Sequence, residues 1–324
     1  MKYTMHDEIG GYLELDEYSE NEYHTDAIRL NTGRNCFRYI LKSRSIRTIA
    51  LPIYNCDAIA NTAKEEKVEI LFYHIDKHFI FHVEDIPDNI YIYCVNYFGL
   101  CTKQIEDLYK KHNRLIVDNA QAFFEKPIEN CDTLYTCRKY FGVSDGAYLY
   151  TNNALISEMP FDESKDRMNH ILGRYEDCAE KYFDEYRNNE AYLAQQPIRR
   201  MSKLTHNLLN AIDYDYVIKK REENYGILDM YLNSVNNLKI NFVTGPYMYP
   251  FFIQDGRRVR QKLIENRIYV PVLWPNVLND CNEDEIEYTI AQDLLPLPCD
   301  QRYSISDMEH IIDCIDAIMG ESKE

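Results

Sequence analysis

From about residue 27 onward, short apolar runs alternate with longer stretches of helical period, which is the signature of a sheet joined by crossover helices. IRTIALP (46–52), VEILFYHI (68–75), NIYIYCVNYF (89–98), RLIVDN (114–119), DTLYTC (132–137) and GAYLYT (146–151) read as strands. NCDAIANTAKEEK is a predicted helix whose last turn carries Lys64 and Lys67, where the helix dipole favours positive charge. TKQIEDLYKKH is amphipathic and long enough to cross between parallel strands. After residue 160 the pattern changes. Two long, charged, helix-favouring stretches, DESKDRMNHILGRYEDCAEKYFDEYRNNEAYL and YDYVIKKREENYGILDMYLNSV, predict bridging helices. The remainder reads as strand (247–253), helix (256–268), strand (294–299) and helix (304–319). The expected organisation is an N-terminal segment (1–26), a large α/β/α domain with a mostly parallel sheet (27–210), then a bridging helix and a small α+β domain (211–324). No internal repeat or low-complexity tract interrupts it.

Composition narrows the partners. The formal net charge of −17 repels a phosphate backbone, and no dense Lys/Arg cluster reverses it locally, so nucleic acid is not an expected partner. The 10 cysteines are scattered without a CxxC pair and are expected to be reduced thiols. The acidic amino terminus lacks an apolar signal core, and no apolar run approaches the ~20 residues of a membrane span. A cytoplasmic protein without a membrane partner is expected. Tyrosine is frequent, at 28 residues, which suits pockets and interfaces because the ring packs while the hydroxyl stays polar.

Three pieces of the chain carry complementary chemistry. The run RLIVDN ends on Asp118; a carboxylate at the end of a buried strand either caps the following loop or faces a ligand that needs negative charge. In LYTCRKYFGVSDGAYLYT, Lys139 follows a strand and precedes Gly142 and the Asp145-Gly146 turn. An ordinary lysine is solvated surface, but this position holds the amine near the ligand-binding edge of a sheet, where it can attack an aldehyde as a Schiff-base lysine. In LNTGRNCFRYIL, Thr32 or Asn31 can cap a helix starting near Arg34; the free amides of such a terminus, with Arg34 in the first turn, also suit a phosphate. Neither a GxxxxGK[ST] nor a GxGxxG motif is present. A phosphate-friendly helix start, a strand-end acid and a strand-end lysine together match pyridoxal 5'-phosphate (PLP), whose phosphate, ring nitrogen and aldehyde want these three groups.

Other features carry less. His74, His78 and His82 recur every four residues, but in a strand-like run, so no metal site is expected. Asn96 and Tyr97 lie at a strand end, where they either border a substrate or form a turn before Gly99. The WPNVLN segment holds the sole tryptophan, Trp274, as a lid or as a loop anchored by one ring.

With LPIYNCD, VNYFGL, IVDNAQAFF and LLPLPCDQRYSISDM added to these segments, nearly the whole chain from residue 27 resembles a divergent branch of the DegT/StrS family, the fold-type I PLP-dependent aminotransferases that act largely on nucleotide-linked keto-sugars. The resemblance implies that Lys139 carries the cofactor and Asp118 faces its ring nitrogen. It places Gln121 near the phenolic oxygen, and Gly33, Arg34, Asn35 and Thr136 around the phosphate. The aromatic that stacks on the ring corresponds to Tyr54, or by a strict count to Cys56, which cannot stack. VSDGA replaces the GEGG-like run of many sugar aminotransferases. The implied activity is a ping-pong transamination from an amino acid such as glutamate to a keto-sugar for surface polysaccharide or a related pathway, in a homodimer. The alternatives are a PLP enzyme acting on a non-sugar substrate and a non-catalytic binder of PLP or a sugar nucleotide.

Overall fold

The computed structural model describes residues 10–19, 21–155 and 158–320. In chain order its elements are β1 (Ile28–Leu30), α1 (Gly33–Ser43), β2 (Thr48–Pro52), α2 (Asp57–Glu65), β3 (Glu69–Tyr73), β4 (Tyr91–Val95), α3 (Thr102–Lys111), β5 (Leu115–Asp118), β6 (Asp132–Thr136) and β7 (Ala147–Tyr150). The second half comprises α4 (Asn169–Glu176), α5 (Phe183–Ala194), α6 (Lys203–Asn210), α7 (Tyr214–Leu232), β8 (Tyr249–Phe252), α8 (Gly256–Glu265), α9 (Val277–Asp280), α10 (Ile286–Asp293), β9 (Leu294–Leu297) and α11 (Ile305–Gly320).

The first seven strands form one sheet in the order β1-β7-β6-β5-β4-β2-β3. Pairing is parallel from β3 through β2, β4 and β5 to β6, and antiparallel where β7 joins β6 and β1. The central strands are buried on both faces, as parallel strands sandwiched between helices must be, which is why they read as continuous apolar runs rather than alternating ones. Each parallel step leaves a loop at the carboxyl ends of the strands, the usual ligand crevice of such sheets. A second core surrounds the antiparallel pair β8-β9, with α7, α8 and α11 packed on it through Leu228, Val259, Leu263, Ile312 and Ile315.

The long charged stretch after residue 160 does not form one helix. Short 3-10 turns at Lys165–Arg167 and Glu180–Tyr182 punctuate it, leaving α4 and α5 as separate helices. The reason lies at Gly173, where an added Cβ would stand 2.3 Å from the Tyr182 ring. The chain folds back on itself through a glycine contact that helical propensity does not register. The sequence pattern likewise marks neither strand β1 nor helix α6.

His24, 2% exposed, fastens the N-terminal segment to the sheet. Its Nε2–H donates to Phe123 O at 2.9 Å, so Nδ1 of the neutral ring accepts from the Tyr150 hydroxyl at 3.2 Å. Burial pushes the imidazole pKa down from 6.5 to about 4. The unfolded chain therefore binds a proton that the folded one refuses, so the stability contributed by neutral His24 is full above pH 6.5 and is lost as pH falls towards 4. The loss is on the order of 3 kcal/mol. Urea unfolding at pH 7 and pH 4.5 should show a smaller drop in midpoint for His24→Gln than for the natural chain; an equal drop in both rules His24 out as the source.

Candidate active site

At the carboxyl end of the sheet, the ends of β5 and β6, the loop after β2 and the start of α1 converge on one cavity of about 150 Å³. Asp118 closes β5. Its Oδ1 accepts from Ala120 N at 2.8 Å and its Oδ2 from the Tyr93 hydroxyl at 2.7 Å. Tyr93 belongs to β4, and the parallel register that pairs Val95 with Asp118 puts Tyr93, two residues earlier, on the same face of the sheet. Two donors hold the carboxylate in one orientation and leave it lone pairs for a cation in the cavity.

Lys139 lies in the turn after β6, where Tyr140 N and Phe141 N both donate to Cys137 O at 3.0 and 2.9 Å. Cys137 N donates to Gly146 O, and Gly146 N donates to Asn31 O, so this turn is stitched to the chain entering α1. Gly146 has φ of +114°, and a Cβ there would meet Thr205 and Cys137 at 3.0 and 3.2 Å, so the position requires glycine. Next to it, buried Asp145 accepts from Ser202 N at 2.8 Å, from Ser202 Oγ at 2.7 Å and from Thr205 Oγ1, pinning the loop to the start of α6. The Lys139 ammonium stands 5.4 Å from the centroid of the Tyr247 ring. Burial pulls its pKa below the ordinary lysine value; Asp118 and Cys56 oppose this and Arg138 adds to it.

The third component is the amino end of α1. Thr32 caps the helix, its hydroxyl accepting from Asn35 N at 3.1 Å. The amides of Gly33 and Arg34 have no acceptor within the helix, and both residues line the cavity beside Thr136. Arg34 donates to Leu193 O at 3.2 Å, and Arg138 forms an ion pair with Glu190. Burial lowers the pKa of each guanidinium, and their mutual repulsion lowers it further on Arg138. Two arginines and a helix terminus lining one cavity are suited to a dianion.

The sequence-derived candidates divide between this cavity and the wall behind it. Gly33, Arg34, Asp118, Thr136 and Lys139 line it together. Asn35 turns away and donates to Asn31 Oδ1 and to the carbonyls of Gln196 and Pro197. Gln121 is 1% exposed, and its Oε1 accepts from Phe98 N at 2.9 Å, supporting a residue at φ +53°. Asn96 is spent on Thr102, Asn119 and Cys101 N, and the Tyr97 hydroxyl donates to Tyr54 O. Tyr54 packs inward among Phe79, Tyr97 and Trp274, whereas Cys56 lines the cavity. The histidine run bends at Asp76, which accepts from His78 N and Ile80 N, and His74 pairs with Glu287. Among the described residues no group of three ligating side chains converges on a metal position. Trp274, which the sequence offers as a lid or an anchored loop, lines the cavity, and so do Tyr93, Arg138, Glu190 and Leu193, which the sequence pattern does not single out as site residues.

No family model matches the sequence, and no curated protein matches it. The fold does match solved structures. An aminotransferase, TlmJ, from Streptoalloteichus hindustanus superposes with a TM-score of 0.65 over 92% of this chain and 87% of its own, at 14% identity. A DegT DnrJ EryC1 StrS aminotransferase from Brucella abortus matches with a TM-score of 0.63 over 90% of this chain and 85% of its own, at 15% identity. Spr1654 of Streptococcus pneumoniae, described as a sugar aminotransferase and solved in its PLP form, matches with a TM-score of 0.64 over 91% of this chain and 87% of its own, at 13% identity. At such identities the likeness establishes the fold: a three-layer α/β/α body with a mostly parallel sheet and a smaller α+β part, as in these aminotransferases.

Proposed function

We propose that this protein is a PLP-dependent aminotransferase acting on a keto-sugar, nucleotide-linked, with an amino acid such as glutamate as donor. The observation that carries the reading is that Lys139, Asp118 and the amino end of α1 line a single cavity. The donor set matches the cofactor's three functional groups: a dianion for the Gly33 and Arg34 amides with Arg34, Arg138 and Thr136, a cationic ring nitrogen for Asp118, and an aldehyde for Lys139. The solved forms of Spr1654 with PLP and PMP support the same choice by analogy.

When bound, PLP supplies the carbonyl that carries the amino group and a ring that spreads the electrons of a substrate carbanion. The chain does the rest. Lys139, its pKa lowered by burial, has a larger neutral fraction and would supply both the amine that attacks a carbonyl and the base that takes and returns the proton of the substrate carbon. Asp118, oriented by Tyr93 and Ala120, would hold a proton on the cofactor's ring nitrogen. The Arg138–Glu190 pair and Leu193 close the side of the cavity that α5 covers.

A homodimer belongs to this reading. Leu172, Tyr175 and Phe183, on the helical hairpin beside the cavity, are exposed apolar side chains that a second copy would cover.

Purified protein supplied with PLP should be yellow, should lose that absorbance to borohydride, and should pass to the colourless amine form of the cofactor on adding glutamate. Gel filtration of the same sample should read a dimer. A coloured protein that no amino donor bleaches would make the chain a passive binder, and a protein that takes up no PLP would overturn the cofactor itself.

A further inference from the structure

We infer that Trp274, carried by the loop before α9, supplies the aromatic wall of the cofactor ring; this rests on the cofactor reading above. The loop after β2 offers two side chains for that place. Tyr54 is 1% exposed and its ring is spent in the interior, with centroids 5.4 Å from Tyr97 and 6.3 Å from Phe79. Cys56 lines the cavity but has no ring. Burial raises the pKa of its thiol, so it enters the cavity as a small neutral group. The loop after β2 therefore contributes no aromatic ring to the cavity.

The indole reaches the cavity from a part of the chain more than two hundred residues away. Trp274 is half-buried and lines the same space as Lys139, Asp118 and Cys56. Its ring meets Tyr54 edge-on, 5.1 Å between centroids at 61°, and lies 6.3 Å from Tyr97 at 55°. The buried tyrosines thus back the tryptophan instead of facing a ligand, and their contacts fix the plane of the indole. Two hydrogen bonds hold the loop: Asn276 Nδ2 donates to Asn55 O at 3.0 Å, and Val277 N donates to Trp274 O at 3.0 Å. Asn55 is itself held, its Oδ1 accepting from Cys56 N at 2.7 Å. Ala120 and Leu134 give the cavity an apolar lining, so a flat ring finds both an indole and aliphatic groups there. Trp274 is a positioning residue in this role: it orients the ring on which Lys139 and Asp118 act.

The chain has a single tryptophan, so its emission reports this position alone. Titration of the cofactor-free protein with PLP should quench that emission in step with uptake measured by equilibrium dialysis. Trp274→Ala should weaken PLP binding about tenfold or more and shrink the visible circular dichroism of the bound chromophore, and Trp274→Phe should recover most of both. Far-ultraviolet circular dichroism checks that each variant is folded. Trp274→Ala binding PLP as tightly as the natural chain, or Trp274→Phe recovering nothing over Trp274→Ala, overturns the assignment while leaving the cofactor reading intact. A natural chain that takes up no PLP overturns both.

Discussion

Lys139→Ala, supplied with PLP, should be colourless, should carry no borohydride-fixed label, and should turn over at least about 10³-fold more slowly than the natural chain. In the proposed mechanism, removing the amine takes away both the nucleophile that captures the aldehyde and the base that moves the substrate proton, and among the described residues no other lysine lines the cavity. Lys139→Arg is the sharper comparison. It retains positive charge near Tyr247 and Asp118 but cannot form the linkage, because a guanidinium stays protonated. Mass spectrometry of the borohydride-treated natural chain should place the label on the peptide containing Lys139. A label on another lysine, or one retained by Lys139→Ala, would show that the covalent attachment has been misplaced.

The second large effect belongs to Asp118. Asp118→Asn should keep bound cofactor yet lose about 10²–10³-fold in the half-reaction with glutamate, equivalent to ~3–4 kcal/mol of transition-state stabilisation. The neutral amide cannot hold a proton on the ring nitrogen, and its NH₂ must also face one of the two donors, Tyr93 Oη–H or Ala120 N–H, that now point at the carboxylate. The loss thus has an electronic and an orienting part, which a cofactor methylated at the ring nitrogen separates. Its charge is permanent, so it should restore much of the rate in the variant. A variant as fast as the natural chain, or one that the methylated cofactor leaves unimproved, would remove Asp118 from the electronic role.

Much of this arrangement can be read from the sequence because it is local. The run RLIVDN specifies a strand and its terminal acid, and LNTGRN specifies a capped helix with Gly33 and Arg34 in its first turn. Lys139 is marked by the strand before it and the Asp145-Gly146 turn after it. Side-chain direction is where local reading fails. Tyr54 and Cys56 are two residues apart in a loop, and only packing against Phe79 and Tyr97 decides which of them faces inward. Asn35, Gln121 and Asn96 are polar residues beside the site whose hydrogen bonds go to backbone and neighbouring amides, a use that spacing cannot distinguish from ligand binding. The remaining wall is non-local. Tyr93 follows only from the register of β4 on β5, and Glu190 and Trp274 reach the cavity from α5 and from the loop before α9.

The two sides of the cavity are built on different foundations. Asp118 closes a central strand and Lys139 sits in a turn fixed by the Asp145 clamp, whereas Glu190 and Leu193 belong to α5, a helix packed on α4 in which only Asn189 and Leu193 are buried. Sequence drift is therefore tolerated more readily along the exposed face of α5 than at Asp118 or in the turn that carries Lys139.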